Sequence, residues 1–275
     1  MKKLCIYHGN CADGFTAAWV VRKALGEDVQ FHHGVYQDHP PDVEGRDVYL
    51  VDFSYKRSVL EVLREQAASV TILDHHQTAE ADLKDLPGIH AVFDLNRSGA
   101  RITWDYFFPN IAPPALLLHI EDRDLWRFAI RKTREIQAAV FAYPYDFKTW
   151  DYLMSADLQQ LAVEGEAIER KHFKDIRELI GVVTRRMTIG GYNVSVANLP
   201  YTLTSDAGHI LAKDEPFAGC YWDTPQGRVF SLRSTDGGVD VAEVAKQYGG
   251  GGHRHASGFR LSFADASKLE MELNQ

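Results

Sequence analysis

The first half of the chain alternates short apolar runs with amphipathic segments, and this alternation narrows the fold more than any other feature. The runs LCIY, DVYLVDF, SVTILD and HAVFD are each short and rich in Val, Ile and aromatic residues, the composition of β-strands. Between them, Phe15 to Leu25 carries apolar residues at helical spacing, and Ser54 is placed to cap a helix with a buried stripe of Val59, Leu60, Val62 and Leu63. Such a βαβ pattern predicts a parallel sheet covered by helices. From Ser98 to about Ile180 the strand signals stop and helix-like segments such as TWDYLMS and DLQQLAVEGEAIERKHFKDIRELI take over. Strands return after Arg185 in RMTIGGYNVSVANL, a hairpin around Gly190 and Gly191, and then in FAGCYWD and RVFSLRS. The chain closes with a helix running into four glycines, a strand and a terminal helix. The fold class is α/β: a parallel-sheet domain over 1–130, a helical connector over 131–184 and a smaller α/β domain over 185–275.

Composition limits what such a chain can do. With 275 residues, 45% of them hydrophobic, there is ample material for buried cores, and no segment approaches eighteen consecutive apolar residues. No membrane partner is expected. The N-terminal MKKLCIYHGNCADG lacks the apolar core of a signal peptide, so a cytoplasmic protein is expected. Cys5, Cys11 and Cys220 are odd in number, spread out and form no CxxC pair, which argues against a disulfide framework or a structural zinc site. A net charge of −8 disfavours long duplex nucleic acid as a partner, because nonspecific binding relies on basic surface.

Candidate chemistry collects at strand ends: His8 and Asp13 after the first strand, Asp52 closing VYLVD, and Asp74, His75 and His76 after VTIL. In open parallel sheets the ligand crevice lies outside the carboxyl ends of the strands, so residues distant in sequence converge there. A lone aspartate at a strand end is most often a turn former, whereas three adjacent titratable residues after an apolar strand have no simple packing role. Asp and His without a nucleophile motif suit divalent cations of the manganese type, and a pair of ions about 4 Å apart suits phosphoryl transfer. In EDRDLW, Asp122 and Asp124 are also read as ordinary charged residues capping a helix. His32 and His33 follow a strand-like run with no carboxylate neighbour and read as a surface pair. The run Gly249 to Gly252 with His253 lets backbone N–H groups approach an anion, a field that a following helix N-terminus would strengthen. Arg233, ending VFSLR, would add a bidentate phosphate clamp. Tyr201, Tyr221 and Trp222 are aromatic residues that could stack a base, although a core role is favoured for each.

Ordered motifs covering nearly the whole chain resemble the DHH phosphoesterase superfamily, in the subtype with a C-terminal DHH-associated domain carrying a GGGH substrate-binding motif. They are YHGNCADGFTAAW, LVDFS, LDHH, SGARITWDYFF with IEDRDLW, and SLRS with DVAEVAKQYGGGGHRHASGF. The resemblance implies metal ligation by His8, Asp13, Asp52, His75 and Asp122, with Asp52 and Asp122 bridging, and Asp122 is preferred to Asp124 because of its spacing to Trp126. Asp74 would orient the histidines, and His76 would contact the scissile phosphate or protonate the leaving group. The nucleophile would be a hydroxide held between two Mn2+ ions, with Mg2+, Co2+ or Zn2+ as alternatives. Arg233, Gly250, Gly251, Gly252 and His253 would grip the far end of a substrate bridging the cleft between the domains. Many members carry an aspartate where this chain has Cys11, so Cys11 is a further candidate ligand, with Asn10 as an alternative oxygen donor. The implied activity is hydrolysis of short oligonucleotides or linear dinucleotides to 5′-mononucleotides. The alternatives are phosphomonoester or phosphoanhydride hydrolysis, as of 3′-phosphoadenosine 5′-phosphate, exopolyphosphate or pyrophosphate, or a nucleotide-binding sensor. A homodimer stays open.

Overall fold

The structure, a computed structural model, describes residues 2–271. The chain divides into two compact units, Met1–Glu169 and Arg170–Gln275, the division falling inside the segment that the sequence assigns to a helical connector.

The first unit is built on β1 (Lys3–His8), β2 (Val29–Gly34), β3 (Asp47–Val51), β4 (Ser69–Asp74) and β5 (His90–Phe93). They form one sheet in the order β2-β1-β3-β4-β5, parallel throughout. Side chains alternate between two cores: Leu4 and Ile6 of β1 join one with Leu50 and Ile72, while Cys5 joins the other with Val51 and Leu73. Burial on both faces explains why these strands read as continuous apolar runs. Helices α1 (Ala12–Leu25), α4 (Gly99–Phe107), α5 (Ala115–Asp124), α6 (Thr133–Val140) and α7 (Phe147–Ser155) supply the Cys5 side. On the Leu4 side lie α2 (Arg57–Gln66) and α3 (Gln77–Leu83). Helix α1 is buried from Ala12 to Val21 on every face, and Trp150 of α7 donates its indole N–H to Thr16 Oγ1 at 2.9 Å.

Three local expectations are corrected. His32 and His33 lie within β2 rather than beyond it; β2 is an edge strand whose polar residues hide the period. Ser54 does not cap α2, which starts at Arg57. Val62 is 53% exposed while Leu60 and Leu63 are buried, because the sheet-facing stripe of a short helix is narrower than the apolar run.

Helix α8 (Leu158–Val183) contains the division between the units, and the second unit continues with β6 (Thr184–Ile189), β7 (Tyr192–Asn198), α9 (Thr204–Leu211), β8 (Ala218–Thr224), β9 (Gly227–Arg233), α10 (Val241–Lys246), β10 (Gly251–His253), β11 (Ala256–Leu261) and α11 (Phe263–Met271). The sheet order is β10-β11-β9-β8-β7-β6, antiparallel except for the parallel pair β7 and β8. The β6–β7 hairpin turns at Gly190 and Gly191 with φ of 57° and 83°, values that a two-residue type I′ turn requires and glycine supplies without strain. No described helix is long and apolar enough to cross a membrane.

Candidate metal centre

In the first sheet β1 connects outward to β2 on one side, and the chain then returns to β3 on the other side of β1. The strand order therefore reverses between β1 and β3, the point where open parallel sheets leave a crevice at their carboxyl ends. His8 ends β1, Asp13 lies in the first turn of α1, Asp52 follows β3, and Asp74, His75 and His76 end and follow β4. Two glycines permit the convergence. A Cβ on Gly14 would stand 2.4 Å from the His8 carbonyl oxygen, and one on Gly99 would stand 2.4 Å from Asp52 Cβ, so α1 and α4 start against these residues only because a side chain is missing. Asp52 itself has φ of 52°, a left-handed conformation costing about 1 kcal/mol or more outside glycine.

Asp52 is the hub. Its Oδ1 lies 3.1 Å from His75 Nε2 and its Oδ2 3.4 Å from His8 Nδ1. Donor atoms of Asp13, Asp52 and His75 lie within 4.8 Å of one another, as do those of His8, Asp52 and His76; Asp52 belongs to both groups. Asp74 Oδ1 accepts from the backbone N–H groups of His75 and His76 at 2.8 and 3.3 Å and meets His76 Nδ1 at 2.7 Å, which fixes the ring by that edge. Asp13 Oδ2 accepts the Ala100 N–H of α4 at 3.1 Å.

Charge is crowded here. Burial, with Asp124 and Asp52 beside it, holds the Asp13 carboxyl well above the usual range. Burial acts the same way on Asp52, but its bonds to His75 and His8 outweigh it and hold the carboxyl below the usual range. His75 would be lowered by burial, yet the carboxylates of Asp52, Asp124 and Asp13 raise it to about 10. Cys11, the N-cap residue of α1, is half-buried. Burial, then the proximity of Asp52, Asp124 and Asp13, pushes its thiol well above its ordinary value, so on its own it is a neutral thiol at this negative cluster. Asn10 takes a left-handed φ of 55° at the same turn.

The expectation for Asp122 is corrected. Its carboxylate accepts the N–H groups of Ala129 and Ile130 at 2.8 and 3.0 Å and the Thr133 hydroxyl at 2.6 Å, which turns it towards the following loop. Asp124 instead reaches the cluster, with Oδ2 3.4 Å from His75 Nε2. Residues two apart on a helix point about 200° apart, so only one of the pair can face the strand ends. The family's spacing to Trp126 favoured Asp122, whereas the structure turns Asp124 to His75; Trp126 has φ of 54° and does not continue the helix.

Comparison with known proteins places this arrangement. The chain is 31% identical to an uncharacterized protein of Acanthamoeba polyphaga mimivirus, over 94% of this chain and 67% of that protein. It is 23% identical to the oligoribonuclease NrnB of Bacillus subtilis, over 96% of this chain and 76% of that one. Its fold matches the solved DHH domain of a protein assigned to a ribosomal-protein family, with a TM-score of 0.60 at 12% identity, covering 98% of this chain and 85% of the other. No family model matches. The chain has the fold of a DHH domain, and its ordered motifs resemble those of the DHH phosphoesterase superfamily. Its Asp74-His75-His76 triplet is the sequence that gives the superfamily its name, and members are metal dependent. The residues fit divalent cations: hard carboxylate oxygens and borderline imidazoles form both groups, and the buried Asp13 Oδ1 accepts no hydrogen bond among the described residues.

The second unit holds the remaining sequence candidates. Arg233, Ala256 and His253 stand in register across β9, β11 and β10. The Arg233 guanidinium donates to Ser205 Oγ at 2.9 Å, Ser231 Oγ at 3.0 Å and the Leu232 carbonyl at 2.8 Å. The glycine run enters β10 rather than a helix, so no helix dipole follows it. Its first need is packing: a Cβ on Gly250 would stand 2.1 Å from the Gly258 carbonyl oxygen, and Gly252 has φ of 140°. Trp222 pairs with Val229, four residues along β9 from Arg233, roughly 13 Å at strand rise. Tyr221 is buried under the Arg185 and Arg228 guanidiniums, and the 54%-exposed Tyr201 lies beside Trp222, with 6.2 Å between ring centroids.

Proposed function

We propose that this DHH protein is a divalent-metal-dependent phosphodiesterase that hydrolyses short oligonucleotides or linear dinucleotides to 5′-mononucleotides, with Mn2+ as the working metal. The observation that carries the reading is Asp52 shared between two groups of buried donors. One cation would be held by Asp13, Asp52, His75 and Asp124, the other by His8 and Asp52. When bound, the ions supply Lewis-acid charge to a phosphoryl group and lower the pKa of coordinated water. As the residue common to both groups, Asp52 would contribute to holding both cations. Asp74 holds His76 at Nδ1 and so directs the opposite edge, Nε2, to the scissile phosphate or to the leaving-group oxygen, where a proton is delivered. Arg233, Gly250, Gly251, Gly252 and His253 hold a further phosphate or sugar of the substrate, in the manner of the GGGH-containing subtype. Likeness to an oligoribonuclease supports a short nucleic-acid substrate, and the net charge of −8 disfavours a long one.

The test is incubation of purified protein with Mn2+ and pApA, with AMP release followed by chromatography beside a chelated control. Metal-dependent AMP release is expected. Absence of AMP with Mn2+ bound would overturn the diesterase reading.

A further inference from the structure

Asp122 lies two residues before Asp124 yet is buried and turned away from the donor cluster. Besides its three carboxylate bonds, its backbone carbonyl accepts the N–H groups of Arg127 and Phe128 at 2.9 and 3.3 Å. One residue thus organises the whole connection from α5 to the first residue of α6. That connection is conformationally costly: Trp126, Phe128 and Lys132 all have left-handed φ, at 54°, 49° and 71°, and bulky residues adopt this only when the surroundings impose it. Two guanidiniums press on it, Arg123 over the Trp126 ring at 4.8 Å and Arg134 over Phe128 at 3.6 Å.

The line extends one step deeper. Thr133 Oγ1 lies 2.8 Å from Nδ1 of the buried His119. A hydroxyl has a single proton, and this one goes to Asp122 at 2.6 Å, so His119 Nδ1 must donate to Thr133. His119 is on α5 itself, five residues before Asp124. The donors run in one direction, His119 to Thr133 to Asp122, and tie the last turn of α5 to the start of α6.

We infer that Asp122, Thr133 and His119 are positioning residues that hold the end of α5 so that Asp124 stands at His75, an inference resting on the proposed role of Asp124 as a cation ligand. The function resembles that of the outer partners that orient ligands at metal sites, whose loss weakens metal binding about tenfold or more. It differs from direct ligation, the role that the family resemblance implies for Asp122.

The experiment is a titration of the full-length protein with Mn2+, reading free ion by its paramagnetic resonance signal. Thr133→Val is expected to weaken binding of one ion about tenfold, with Thr133→Ser restoring it and circular dichroism unchanged. In an Asp124→Asn background Thr133→Val should cause no further loss, since the two act through one ligand. Should Thr133→Val fail to fold, Asp122→Asn, which keeps shape and one accepting oxygen, is read in the same cycle. Wild-type affinity in Thr133→Val, or an equal loss in both backgrounds, overturns the inference. Mn2+ binding without AMP release in the wild type overturns the proposed function alone, and no Mn2+ binding in the wild type overturns both.

Discussion

The first unit concentrates its candidate chemistry in a buried cluster at the ends of parallel strands, while the second lays its candidates along the antiparallel strands β9, β11 and β10 of a mixed sheet, partly open to solvent. In the cluster, Asp13, Asp52, His75 and Asp124 perturb one another because each has lost water and gained charged neighbours. In the second unit Arg233 is satisfied by serine hydroxyls and a carbonyl, and the glycines serve backbone packing before any ligand. A buried cluster of like charges is stabilised by cations and tolerates no missing member. The half-open surface of the second unit, where neutral partners already hold the Arg233 guanidinium, is expected to tolerate single changes better.

The largest expected effect tests the hub. Asp52→Asn should lower kcat by about a thousandfold or more, the scale of losing one electrostatic element of a catalytic site, with Mn2+ binding weakened at both positions. Measured turnover near the wild-type rate would remove the contrast between the units. A matched pair of glycine replacements separates them next. Gly99→Ala places a methyl against Asp52, and Gly250→Ala places one against Gly258 and Phe259; each should cost about 1–3 kcal/mol of stability as overpacking. Only Gly99→Ala should also weaken Mn2+ binding, so thermal unfolding with and without the ion distinguishes the two. The smallest effect is at His253. His253→Ala should raise KM about tenfold, near 1.4 kcal/mol of binding, with kcat little changed; a large fall in kcat with KM constant would move His253 into the chemistry.

Much of the first unit was legible because strands buried on both faces leave an unmistakable apolar run. LCIY, DVYLVDF, SVTILD and HAVFD became β1, β3, β4 and β5, and the glycine pair of the β6–β7 hairpin named its own turn. The edge strand β2 was read too short, ending before His32, since VQFHHG pairs on one side only and carries polar side chains that are not buried. The buried stripe of α2 was read one residue too wide, because apolar Val62 faces solvent and hydrophobicity alone does not force burial.

The sequence by itself determined that Asp and His residues would fall at successive strand ends, since strand length and the parallel pattern are written locally. It also determined that EDRDLW would bring an acidic helix terminus. Only the tertiary structure decided which carboxylate of that terminus faces the strands. Asp122 and Asp124 have the same chemistry, and the helix period places them on opposed faces. The choice was made by the loop after Asp124, whose left-handed turn at Trp126 brings the Ala129 and Ile130 N–H groups back to Asp122. Backbone donors that must be satisfied once buried claimed one aspartate and left the other to the cluster.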